Sequence, residues 1–137
     1  MKTEKIKLPE NHRRSLTSAL MTVEQMLFDL EASLKYQQKG CCYEIENDLA
    51  DDVIKNDLEI IREARSRLCK LSEKYDSGKY IQNLSKIVNA RKTRIWEVLM
   101  DMKPRKQKGF GEFPKELAKE YERDLDELLS VTEKIIY

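Results

Sequence analysis

Apolar residues recur along this chain at alternating steps of three and four, and polar residues fill most positions between. Between residues 9 and 39 the seam is Leu16, Leu20, Val23, Leu27, Leu30 and Leu34. Between 44 and 76 it is Ile54, Leu58, Ile61, Ala64, Leu68, Leu71 and Tyr75. The stretch 78–103 carries Ile81, Leu84, Val88, Arg91, Ile95, Val98 and Met102, and 114–136 carries Ala118, Tyr121, Leu125, Leu128, Val131 and Ile135. Such spacing puts every seam residue on one face of an α-helix. A 3–3 step from Leu58 through Ile61 to Ala64 predicts a local phase slip in the second helix.

The helix breakers fall between these stretches. Pro9, Gly40, Gly78, Pro104, Gly109, Gly111 and Pro114 are all the prolines and glycines of the chain. Proline lacks an amide hydrogen and glycine favours helix ends, so the predicted helices are 9–39, 44–76, 78–103 and 114–136, with a linker at 104–113. Short connections force antiparallel neighbours. The expected fold is all-α: an up-down-up-down antiparallel four-helix bundle forming one domain over residues 1–137. The alternative keeps three long helices and swaps the fourth into a partner within a dimer.

Composition agrees with long solvated helices: 37% of residues are charged and 7% aromatic, while the net charge is only +1. The opening "MKTEKIKLPEN" has no apolar leader region, and charges interrupt each later apolar stretch, so no membrane partner is expected. Three cysteines (Cys41, Cys42 and Cys69) do not make a disulfide framework, and a bond between adjacent cysteines closes a strained ring. Reduced thiols and a cytoplasmic location are expected. Acids crowd the start of the second stretch, seven from Glu44 to Glu59, and nine bases lie from Lys79 to Lys108. Both sets suit their helix dipoles, and the acidic set is expected beside the basic one.

Most chemistry associated with helical bundles is unsupported. A di-iron site needs inward carboxylates with Glu-x-x-His pairs, but the sole histidine is His12 and no such pair exists. No haem-attachment motif, phosphate-binding glycine loop or nucleophile–His–acid set is present, so no cofactor and no catalytic residue are expected. His12 stands at the top of a helix without a phosphotransfer signature after it. Asp48, Asp51 and Asp52 have i, i+3, i+4 spacing that would let a helix present three carboxylates to a divalent cation.

Three surface features carry functional expectations. Arg91 is a charge on the third seam, where it must pair or reach solvent. Met21 with Phe28, and Trp96 with Met100, form apolar pairs off the seams, and a second apolar stripe calls for a second partner. The segment "KPRKQKGFGEFP" holds Phe110 and Phe113, expected to fold over Trp96 and Met100, and Arg105, Lys106 and Lys108, candidate anion contacts. The expected function is non-enzymatic: protein–protein interaction as a scaffold, adaptor or assembly partner, with self-association. The alternative is a module for nucleic acid or another polyanion, using the basic end of the third helix and residues 103–108. A weaker alternative is a divalent-metal-dependent enzyme acting on phosphorylated substrates.

Overall fold

The computed structural model describes residues 4–136; the expected domain span also includes Met1–Thr3 and Tyr137, which lie outside the described residues. Among the described residues there are four α-helices and no named strand: α1 (Glu10–Lys35), α2 (Asp51–Lys74), α3 (Leu84–Met100) and α4 (Lys115–Thr132). The protein is all-α. Two compact units divide after Tyr80, the first holding α1 and α2, the second α3 and α4.

In the first unit α1 and α2 run antiparallel. Thr17 near the start of α1 meets Ser77 just past the end of α2, while Glu31 near the end of α1 pairs with Arg65. Leu16, Leu20, Leu27 and Leu34 are half-buried against α2, and Ile61 is the buried apolar residue of the pair. Two helices can cover only one line of each other's surface, so Val23 and Leu30 of the same seam stay exposed. Glu10, in the first turn of α1, accepts from Arg13 and Arg14 at 3.2 Å. These pairs hold the Glu10 carboxyl below its usual range, Arg13 being the main cause.

The end of α2 is set by Asp76, not by a glycine. Its φ is +49°, the left-handed conformation, and Ser77 N–H donates to the Ser72 carbonyl while Asp76 N–H donates to that of Glu73. This paired pattern satisfies the last free carbonyls of a helix. Gly78, expected to be the turn, follows with its own positive φ of 74°. The N-terminal segment returns along this end: Ile6 N–H donates to the Lys74 carbonyl at 2.7 Å, and Lys5 pairs with Asp76 at 3.2 Å.

The connection from Tyr36 to Ala50 is longer than the gap between predicted helices, because α2 starts at Asp51 rather than at 44. Residues Gln38–Ile45 instead form a small turn, with Gly40 N–H donating to the Tyr43 carbonyl and Ile45 N–H to that of Gln38. Cys41 and Cys42 sit exposed at its tip as free thiols. The Asn47 side chain then accepts from Leu49 N–H at 3.0 Å, a local alternative to helix.

In the second unit α4 packs on α3 of the same chain. Lys103 meets Glu122, and Thr132 lies beside Asn89 and Thr93, which makes this pair antiparallel as well. Leu129 is its buried apolar residue, and Val88, Lys92 and Leu99 of α3 are half-buried. Pro104 starts a 3-10 turn, Pro104–Lys106, and a second turn spans Lys108–Phe110. Gly111, at φ 105°, turns the backbone toward Pro114, which caps α4.

Candidate functional site

The two flanks of the α1/α2 pair differ. On one flank polar groups close the surface. The Thr17 hydroxyl lies 2.6 Å from the Ser77 carbonyl oxygen, and the Ser72 and Ser77 hydroxyls hydrogen-bond at 2.6 Å, Ser77 being buried. Further along, Arg65 donates to Glu31 at 2.9 Å and stacks over the Phe28 ring, 4.1 Å from its centroid. Lys35 bonds the same carboxylate at 2.9 Å and, with Arg65, holds it below the usual glutamate range. Met21 is half-buried here beside Leu20, Leu68 and Cys69. The off-seam pair Met21 and Phe28 is thus partly covered by its own hairpin.

The opposite flank is apolar and open. At one end an open groove of about 670 Å³ is lined by Leu8, Pro9, His12, Leu16, Ala19, Leu71 and Tyr75. From Ala19 the stripe continues on α1 through Val23, Met26 and Leu30, at steps of four, three and four. On α2 it continues from Leu71 to Ile60 and Val53, eleven and seven residues back, which is whole turns of a helix. Met26 is 63% exposed and Ile60 54%. Neither was expected at an interface. Their signal in the sequence was adjacency: each sits beside a seam residue, Leu27 or Ile61, and widens the apolar face beyond what one helix can cover.

In the α3/α4 pair the expected site residues separate. Trp96 is 45% exposed and lines a small recess with Lys92, Thr93, Thr132 and Glu133. Met100 is half-buried. Phe110 and Phe113 do not cover them. Phe110 is 90% exposed, and Phe113 stacks on Tyr121 of α4, ring centroids 4.6 Å apart. The two 3-10 turns keep Phe110 off the helices, and the turn at Gly111 delivers Phe113 to α4 instead. On the other flank Ile95, Val98, Leu99 and Leu128 line an apolar groove of about 290 Å³.

Charge placement also departs from expectation. Lys103 is 5% exposed, with its ammonium bonded to Asp126 and 3.6 Å from Glu122. A buried amine must be paired, and these carboxylates on α4 meet that need. Arg91 is exposed, whereas Lys92 is half-buried, so the surface of α3 that meets α4 is rotated from the predicted seam. Arg105, Lys106 and Lys108 are exposed and make no ion pair among the described residues. Asp48 precedes α2 and so lacks the helical spacing that would join it to Asp51 and Asp52. The Asp52 carboxylate accepts from Val53 N–H at 3.0 Å, an ordinary role at a helix start. Among the described residues no group of three or more His, Cys, Asp or Glu side chains could hold a metal ion. His12 is exposed in the first turn of α1.

No described helix is long and apolar enough to cross a membrane. In comparison with known proteins, no family model, curated protein or solved structure matches the chain.

Proposed function

We propose that this chain is a non-enzymatic, cytoplasmic protein-interaction module whose helical pairs take up partner helices on their open apolar flanks. The observation that carries this reading is the set Ala19, Val23, Met26 and Leu30 at helical spacing on α1, with Val53, Ile60 and Leu71 on α2, exposed along one flank of a well-formed pair. Contiguous apolar surface at helical spacing gains free energy when another apolar surface covers it, and docking a helix in a groove is a common way of doing so. Three exposed thiols, two of them adjacent, suit a reducing compartment.

The test is photo-crosslinking in cells from the full chain, with a benzophenone amino acid at Met26, Ile60 or Val98. Adducts with protein at one or more of these positions, and none from exposed Glu120, are the expected result. A folded chain giving no protein adduct at any of the three would overturn the reading.

A second reading, contact with nucleic acid or another polyanion, rests on Arg105, Lys106 and Lys108 beside exposed Phe110. Withdrawal of Lys103 into its pair with Asp126 weakens it, leaving three free bases where the segment has four. Absence of binding to single-stranded and duplex oligonucleotides at low salt removes it. The reading as a divalent-metal-dependent enzyme on phosphorylated substrates has no converged carboxylate set among the described residues to support it.

A further inference from the structure

We infer that the partner on the open flank of the α1/α2 pair is a second copy of this chain, docked antiparallel about a two-fold axis that crosses the pair beside Met26 and Ala64. The inference rests on the interaction reading above and names its partner. Its basis is that both the charges and the apolar residues of this flank are arranged to match their own reverse.

Beside the apolar stripe of α2 runs a line of positions one helical step away: Asp52, Asn56, Glu59, Glu63, Arg67, Lys70 and Lys74. The charged residues of its first half are acidic and those of its second half basic. The helix dipole favours this order only in the first and last turns, and Glu59, Glu63 and Arg67 lie in the middle, where Arg67 also pairs with Glu63 of its own helix at 3.0 Å. Two copies packed parallel would set acids against acids. Packed antiparallel about a point beside Arg65, Glu63 faces the partner's Arg67, and Glu59 faces the partner's Lys70 to within a residue. A two-fold interface requires this reciprocity, in which residue i meets j and j meets i.

The apolar residues give the same centre. On α2 the same register brings Ile60 opposite the partner's Leu71 to within a residue, with small Ala64 next to the axis, where backbones approach most closely. On α1, Val23 and Leu30 are equally spaced about a point beside Met26, so each copy's Val23 meets the partner's Leu30. The two centres stand about one helical turn apart along the hairpin. Thr17 lies opposite Ser77, and Arg65 lies over Phe28 and near Glu31, which puts Met26 about level with residues 67–69. One axis therefore passes within about a turn of both centres. A face about 30 Å long and two helices wide buries roughly 600 Å² per copy, at the lower limit for a specific interface.

The experiment is sedimentation equilibrium of the full chain over a wide concentration range. Wild type is expected to dimerise reversibly. Met26→Glu, at the most exposed point of the stripe, and Ile60→Glu should each weaken the dimer about a hundredfold while helicity by circular dichroism is retained. Glu59→Lys with Glu63→Lys should weaken it about tenfold, and so should Arg67→Glu with Lys70→Glu. Combining all four changes in one chain should restore it, and mixing the two double variants should give a heterodimer. A monomer at all concentrations overturns the inference, as does a dimer indifferent to both stripe variants or not restored by the fourfold exchange. A monomer that still crosslinks from Met26 to a different protein overturns the second-copy assignment and leaves the interaction reading intact. Crosslinking from Met26 to residues 81–136 of its own chain overturns both at this face.

Discussion

The two helical pairs use charge in opposite places. In the α1/α2 pair the ionic contacts stay at the rim: Glu31 with Arg65 and Lys35 along one flank, Glu10 with Arg13 and Arg14 at one end. The line between the helices is apolar, ending in the hydroxyl contacts of Thr17, Ser72 and Ser77. In the α3/α4 pair a charge lies inside the packing. Lys103 is covered and held by Asp126 and Glu122, while Ile95, Val98 and Met102 of the predicted seam stay exposed. The contrast shows that an apolar repeat selects a face but not its edge. Where polar side chains close one flank, the remaining apolar stripe lies on the other; where a lysine occupies the contact line, apolar residues remain at both flanks.

The largest effects separate the two packing centres. Ile61→Ala and Leu129→Ala should each destabilise the protein by about 2–4 kcal/mol, since each removes the buried apolar residue of its pair. Hydrogen exchange read by segment should show Ile61→Ala loosening α1 and α2, and Leu129→Ala loosening α3 and α4. Equal loss of protection in all four helices from either change would mean that the units do not open separately.

A smaller effect distinguishes interior from rim charge. Lys103→Ala should cost about 1–2 kcal/mol, less than a fully buried pair because Asp126 and Glu122 are half-exposed or more. Lys103→Met, which keeps the stem, should cost less than Lys103→Ala. Arg65→Ala, at the rim, should cost under about 1 kcal/mol. Urea unfolding monitored by circular dichroism measures all three, and Arg65→Ala costing as much as Lys103→Ala would erase the contrast.

The smallest effect is acid dependence. Folding lowers the affinity of Glu31 for a proton, chiefly through the Lys35 hydrogen bond, and that of Glu10 through Arg13. Their contribution is therefore complete above the ordinary glutamate value of 4.5 and fades as pH falls through the lowered values. The α1/α2 pair should lose protection against exchange in that acid window, and Glu10→Gln with Glu31→Gln should flatten the loss. An unchanged acid profile in the double variant would exclude these two carboxylates as its source.

Of the six expected interface residues, Trp96, Phe28 and Phe110 are exposed enough to serve, while Met21, Met100 and Phe113 are half-buried. The stripe that carries the proposal was largely hidden among residues assigned to a core. Val23 and Leu30 belong to a regular seam, and nothing in their spacing separates them from Leu20 and Leu27. Burial does separate them, because a single neighbouring helix covers the second pair and not the first.

By itself the sequence determined the helical class, the four helices and their breaks near Pro9, Gly78 and Pro114. These follow from side-chain periodicity and from the backbone limits of proline and glycine, which act over a few residues. Tertiary structure decided which edge of each seam is covered, why Lys103 is buried while Arg91 is not, and where Phe113 packs. Those outcomes depend on the angle at which a neighbouring helix arrives, and connections such as Tyr36–Ala50 and Asp101–Pro114 set that angle through turns that no apolar repeat encodes.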